Sequence, residues 1–390
     1  LQMRSYESTS DDDAPVEDNK DGTPKVVNRE MGLTFPCGKA TKNDVIFEQK
    51  FYSSMHAVYR LKKLHTLNKH RGCVNSINFH PEGRLLASGS DDTNVVLWDW
   101  ARKIPLQTIK TGHKSNVFQS KFLYLNTSSQ LNIVTCARDG QVRLVQCGSA
   151  GGSWSRRRVA AHARAAHKLH VTPLEPHALL SAGEDGLVLH CDLRGDVANR
   201  STHNYCTTST PPFQWRYFRS SPKKKMRMSM MHLTCAVYNH DGTEILGSYN
   251  DDDIYLFDTK NDVYNNGYTH RYSGHRNSAT FKGVAYFGPK SEYVVSGSDC
   301  SHIYIWEKNS EAIVQWLQGD INGVVNCIEP HPRFPILATS GLDKDVKIWT
   351  PHNYKDPTFN KLVKKGLRTF RCAGFSMMFF FTVKVRDKTL

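Results

Sequence analysis

The stretch Leu85-Leu86-Ala87-Ser88-Gly89-Ser90-Asp91-Asp92, followed by Val95-Val96-Leu97-Trp98-Asp99, decides the fold. A run of small residues ends at a turn aspartate, and a β-branched apolar run ends at tryptophan. Just upstream, Val74-Asn75-Ser76-Ile77-Asn78-Phe79 alternates as a strand and closes on the turn His80-Pro81-Glu82-Gly83, with His70 ahead of the unit.

The same order recurs along the chain. A second copy opens at Gly112-His113 and ends Cys136-Ala137-Arg138-Asp139-Gly140-Gln141-Val142-Arg143-Leu144. A third opens near His162 and ends Ser181-Ala182-Gly183-Glu184-Asp185-Gly186-Leu187-Val188. Further copies end at Ile254-Tyr255-Leu256-Phe257-Asp258, at Ile303-Tyr304-Ile305-Trp306 and at Val346-Lys347-Ile348-Trp349. The turn aspartate advances through Asp92, Asp139, Asp185, Asp251, Asp299 and Asp343. Most steps fall near the ~40–45 residues of a four-stranded propeller blade. The pattern predicts an all-β chain: a β-propeller with six recognisable blades in one domain over 57–349. Each blade buries its apolar faces only against its neighbours.

One step, from Asp185 to Asp251, is too long for one blade and too short for two. Residues 195–231 lack the strand-turn-Asp-strand signature and read as an insertion or a degenerate seventh blade. Ring closure needs a strand from elsewhere, since an open circular sheet exposes unpaired edges. Ala57-Val58-Tyr59-Arg60-Leu61-Lys62-Lys63-Leu64 is expected to supply the outer strand of the last blade. Residues 1–44, with Asp11-Asp12-Asp13 and Glu17-Asp18, read as a disordered acidic and polar segment. Residues 350–390 read as a basic, poorly structured tail.

Hydrophobic residues make up 39% of the 390, enough for a large core, and the formal net charge is +14. No two of the ten cysteines form a CxxC pair, so no thiolate zinc site is signalled, and buried thiols in a reducing compartment are expected. No apolar run reaches the ~20 residues of a membrane span; the longest covers 375–383.

The combination His275, Ser296, Asp299 and Trp306 superficially suggests a hydrolase triad. The same types recur as His70, Ser88, Asp92 and Trp98, and a catalytic triad has no reason to repeat. A structural network does: the turn Asp orients His, which reaches Ser and the Trp indole. The last copy has Asp320 where His would sit, so its network is expected to be weaker. His162, His167, His170, His177 and His190 crowd the third unit, but their spacing matches no compact zinc motif. No catalytic residue, metal ligand or cofactor site is assigned, and the chain is expected to be non-enzymatic. Pro222-Lys223-Lys224-Lys225-Met226-Arg227, with Trp215, Tyr217 and Phe218 nearby, suits nuclear import or single-strand contact. No recognised nucleic-acid fold anchors it, so nucleic acid is not the expected partner.

Over 57–349 the chain resembles the WD40-repeat substrate receptors of the cullin-4 RING ubiquitin ligase. It most resembles the family called damage-specific DNA-binding protein one and cullin-4-associated factor eight. The resemblance is carried by Ala87-Ser88-Gly89-Ser90-Asp91-Asp92 with Trp98-Asp99-Trp100, by Gly112-His113-Lys114-Ser115-Asn116-Val117-Phe118-Gln119, and by Cys136-Ala137-Arg138-Asp139-Gly140-Gln141-Val142-Arg143. Tyr249-Asn250-Asp251, Gly288-Pro289-Lys290-Ser291-Glu292 and Glu329-Pro330-His331-Pro332 extend it. It implies a non-catalytic scaffold that links a substrate protein to the ligase's propeller adaptor. It also implies that a D-x-R element, here Asp192-Leu193-Arg194, contacts that adaptor. Such receptors usually carry a second D-x-R in the following blade, and 195–231 holds none. Cys191 also replaces the tryptophan expected before Asp192. The alternative is a general propeller scaffold, chromatin-associated for example, without ligase attachment. A soluble chain in nucleus and cytoplasm, away from membranes, is the expectation.

Overall fold

The computed structural model of this chain describes residues 50–125, 130–147, 153–194, 206–209, 233–259, 268–321 and 323–352. The acidic segment 1–44, the basic cluster 222–227 with its aromatics, and the tail from 353 onward lie outside these residues. The described chain enters through helix α1 (Met55–Tyr59) and strand β1 (Leu61–Asn68).

Six four-stranded antiparallel sheets follow, matching the six sequence copies. The first blade is β2 (Val74–Phe79), β3 (Leu85–Ser90), β4 (Asn94–Asp99) and β5 (Ile104–Lys110). The second is β6 (Val117–Phe122), β7 (Asn132–Ala137), β8 (Gln141–Cys147) and β9 (Trp154–Ala161). The third is β10 (Ala166–Val171), β11 (Ala178–Gly183), β12 (Val188–Asp192) and β13 (Cys206–Ser209). The fourth is β14 (Leu233–Tyr238), β15 (Glu244–Tyr249), β16 (Ile254–Asp258) and β17 (His270–Tyr272). The fifth is β18 (Val284–Phe287), β19 (Tyr293–Gly297), β20 (His302–Glu307) and β21 (Ile313–Gln318). The sixth is β22 (Val325–Pro330), β23 (Leu337–Gly341) and β24 (Asp345–Pro351), completed on its outer side by β1. The third blade takes its outer strand from the anomalous 195–231 segment.

The latch therefore forms, but four residues later than expected. Leu61 opposes Pro351 and Asn68 opposes Asp345. The residues before Leu61 turn into α1 because Ser54 caps it, its hydroxyl accepting from the Ala57 amide at 3.2 Å. The helix is pinned to the fifth blade, where Gln315 Nε2 donates to the Tyr59 carbonyl at 2.9 Å and Tyr293 donates to the Ser53 carbonyl at 3.0 Å.

The alternating strands place apolar side chains between blades. Ala87, Leu97 and Ile109 meet Ile133 and Val145 between the first and second. Val134 and Leu144 meet Leu169 and Leu179 between the second and third. Leu246 and Tyr272 meet Val294 and Trp306 between the fourth and fifth. Two clusters flank the sixth blade: Val58, Leu61, Ile305 and Trp349 on one side, and Leu67, Trp98, Ile336 and Ile348 on the other. Among the described residues no such cluster joins the third blade to the fourth. There Leu180, whose counterpart Ala87 is fully buried, is more than a third exposed, and Tyr238 is exposed too. No helix among the described residues is long and apolar enough to cross a membrane.

Candidate docking site and the blade networks

The first blade closes a four-member chain of hydrogen bonds. His70 Nδ1 meets Asp92 Oδ2 at 2.9 Å, and its Nε2 meets Ser88 Oγ at 2.8 Å. The Trp98 indole donates to the same Ser88 oxygen at 2.8 Å. The carboxylate fixes the tautomer: Nδ1–H donates to Asp92, so Nε2 accepts the Ser88 proton. Asp92 also accepts from the Arg71 and Asn94 amides, both at 3.0 Å. Burial pushes the Asp92 carboxyl up, but the bonds from His70 and those amides outweigh it and hold the group at about 2. Ser88 is 0% exposed, so no substrate reaches it as a nucleophile.

Two further copies were not singled out from the sequence. His113 joins Asp139 at 3.0 Å and Thr135 at 2.9 Å. His162 joins Asp185 at 3.0 Å and Ser181 at 2.9 Å. Their signal was the His-to-turn-Asp spacing, masked because the tryptophan position holds Val145 and Cys191, which oppose Ile133 and Leu179 as Trp98 opposes Leu86. His162 thus leaves the apparent histidine crowd for a structural role. His167 pairs with Glu184 at 2.6 Å and stacks on Phe118.

The fifth blade departs from expectation. His275 is buried, yet neither ring nitrogen has a hydrogen-bond partner. Ser296 donates to the Gly297 carbonyl at 3.0 Å and Trp306 to the Ser273 carbonyl at 3.1 Å. Asp299 pairs with the buried Lys282 and accepts from the Ala279 amide. The reason is a shift of one residue. Counted back from tryptophan, the place of Asp92 is held by Cys300, and Asp299 takes the place of Asp91. Asp91 accepts from Asn75 at 2.6 Å, and Lys282 stands where Asn75 does. His275, Ser296, Asp299 and Trp306 are therefore neighbours but not a network. Burial, the largest influence, with Lys282 beside it, lowers His275 to about 4.

The sixth blade replaces the histidine network with charge. Lys347 Nζ donates to Asp320 at 2.8 Å, Asp343 at 3.0 Å and Asp345 at 2.5 Å. The Trp349 indole still finds its hydroxyl, Thr339, at 2.8 Å. The three carboxylates lie close enough to share a cation, and the Lys347 ammonium holds that place. Burial works against the ammonium, but the carboxylates raise its pKa all the same. Asp320, expected to leave the network weaker, recruits a different one in which no histidine takes part.

Asp192 and Arg194 lie at the end of β12, on the face that also carries the turns after the innermost strands. The Arg194 amide donates to Asp192 Oδ1 at 2.9 Å, Nε donates to the same carboxylate at 3.0 Å, and Nη2 closes the fork at 2.5 Å. Those bonds hold the Asp192 carboxyl at about 2. Between them Leu193 is only 8% exposed. Its amide donates to the His177 carbonyl at 2.8 Å, and its carbonyl accepts from Arg157 of the second blade at 3.0 Å. A buried leucine thus anchors a turn whose arginine side chain is 68% exposed. On the same face a cavity of about 250 Å³ opens among Phe79, Lys121, His170 and Glu329.

Comparison with known proteins agrees with the blades. The WD domain, G-beta repeat matches residues 61–99, 266–307 and 313–350. The chain is 30% identical over 288 residues to DDB1- and CUL4-associated factor 6 of Homo sapiens, covering 61% of this chain and 32% of that protein. It is 26% identical over 333 residues to DDB1- and CUL4-associated factor 5 of Mus musculus, covering 74% and 33%. WD and tetratricopeptide repeats protein 1 of Homo sapiens is 42% identical over 98 residues, covering 25% and 14%. The chain spans about a third of the length of the associated factors it matches. The repeats are WD40 repeats, and the chain resembles the DDB1- and CUL4-associated factors.

Proposed function

We propose that this WD40-repeat propeller is a substrate-receptor subunit of a cullin-4 RING ubiquitin ligase. It holds a substrate protein on one surface and the adaptor DDB1 on another. The chain performs no bond chemistry; it raises the concentration of substrate near the ubiquitin-charged enzyme. The observation that carries this reading is the Asp192-Leu193-Arg194 turn. Its backbone is fixed by Leu193 burial and by the bond to Arg157, while its guanidinium is presented to solvent in a set orientation. A planar fork held this way suits carbonyl or carboxylate groups of a partner. To bind, Arg194 can keep its Nε bonds to Asp192 and offer its remaining N–H groups outward.

Arg194→Ala is expected to lower recovery of DDB1 in co-purification at least tenfold while leaving the thermal melt unchanged. Undiminished recovery would remove Arg194 as an anchor. The second reading, a scaffold without ligase attachment, is favoured by one observation: among the described residues, no second D-x-R follows. Mass spectrometry of proteins captured by the intact chain separates the two, because DDB1 and CUL4 are expected only under the first. Residence in nucleus and cytoplasm goes with this reading and is checked by imaging the tagged chain.

A further inference from the structure

We propose that the outer edge of the second blade is a binding site for a phosphorylated segment of a partner protein. Its core is three guanidinium groups on one face of β8 and β9. Arg143 lies directly opposite Arg158 in the strand register, and Arg156 follows on the same face, opposite Val145. Two residues along a strand is about 7 Å, so the three side chains leave the sheet within about one such step of one another, and Arg143 and Arg156 both reach Gly112. Like charges directly opposite one another in an antiparallel pair destabilise it. An anion bound between them would remove that cost.

The rest of the molecule shows what is missing. In the fourth blade the outer-strand Arg271 pairs with Asp253, the residue just ahead of the adjacent strand. The matching position in the second blade is Gln141, an amide, whose oxygen accepts from Arg143 Nε at 3.0 Å. No carboxylate among the described residues pairs with Arg143, Arg156 or Arg158. The backbone makes room for them. Gly112 has φ +83°, and a side chain there would stand 2.9 Å from Arg143 Nη1 and 3.7 Å from Arg156 Cδ. Arg156 and Arg158 are exposed and Arg143 is half-buried, so the cluster is open but backed by the blade.

The charge is compact, not a track. A phosphoryl group, with three acceptor oxygens and nearly two charges, matches converging forks. A nucleic-acid strand wants an extended basic groove with free aromatic faces. Trp154, the aromatic of β9, instead packs against the core between the first and second blades. Use of this site to choose ubiquitination substrates rests on the ligase reading; the binding itself does not.

The test is fluorescence anisotropy with the full chain and a labelled, capped Gly-Ser-Gly-Ser-Gly peptide carrying phosphate on both serines. The unphosphorylated peptide and a uridine 12-mer serve as controls. The phosphopeptide is expected to bind at least tenfold tighter than the unphosphorylated one. That preference should vanish in Arg143→Gln/Arg158→Gln while DDB1 recovery is unchanged. Arg194→Ala should do the reverse, so the two readings fail separately. If the double variant misfolds, Arg156→Gln/Arg158→Gln, which alters only exposed side chains, repeats the measurement. Equal binding of both peptides, an unaffected variant, or tighter binding of the 12-mer would overturn the proposal.

Discussion

The first blade is one unbroken stretch of chain running through β2 to β5, whereas the sixth takes its outer strand from β1, some 280 residues upstream of the strand it pairs with. Both must secure the same corner, where the turn before the third strand meets the chain arriving from the neighbour. The first uses a histidine shared between a carboxylate and a hydroxyl. The sixth uses an ammonium ringed by three carboxylates. What the repeat preserves is therefore the satisfaction of buried polar atoms, not the residues that achieve it.

Deleting residues 50–68 attacks the comparison most directly, because only the sixth blade borrows a strand. The loss removes Val58, Leu61 and Leu67 from two clusters and bares the edge of β24. A melting temperature lower by well over 10 °C, with aggregation on heating, is expected; an unchanged scanning-calorimetry trace would refute the latch.

Lys347→Met comes next. It leaves Asp320 and Asp343 buried without a counter-charge, a class of change costing about 3–5 kcal/mol. Urea denaturation should show the loss, and Asp320→Asn in the same background should recover part of it. If the single variant were as stable as the parent, the ionic network would not be what secures the corner.

In the first blade Ser88→Ala strands two groups at once, His70 Nε2 and the Trp98 indole. About 2–3 kcal/mol is expected by the same denaturation, smaller than at Lys347 because no buried carboxylate loses its counter-charge. A cost as large as that of Lys347→Met would erase the distinction drawn between the two corners.

The smallest effect belongs to the fifth blade, where His275 lacks both partners. Its folded pKa, about 4, lies below the unfolded value near 6.5. Between those values the unfolded chain binds the proton more readily, so stability falls as pH drops from about 6.5 toward 4. His275→Phe should flatten that part of the stability profile and change stability at pH 7.5 by less than about 1 kcal/mol. A steep profile in the variant would assign the acid sensitivity to another group. Asp92 behaves differently: depressed to about 2, it adds stability above pH ~4 that disappears only as pH falls through its folded pKa.

Much of this was legible along the chain. The blades, the borrowed strand and the members of the His70 network all follow from repeated local strings, since strand alternation and turn chemistry are near-neighbour properties. The His275 assignment failed on a single position. In Ser296-Gly297-Ser298-Asp299-Cys300 the acidic residue comes one place early, and a shift of one in a strand's frame changes which partner a side chain meets. Asp192-Leu193-Arg194 was visible as a string, but the burial of Leu193 and its tie to Arg157 were not.

By itself the order of residues determined the all-β repeat, six recognisable blades and where most turns fall, because each depends on contacts a few residues apart; that the 195–231 segment lends the third blade its outer strand was left to the structure. Tertiary structure alone decided which lysine answers Asp320, which carboxylate answers Lys282, and that Arg143 faces Arg158 with no acid between them. Those pairings join residues on different strands, and electrostatic partnership depends on distance in space, which strand register and bulges set and sequence separation does not.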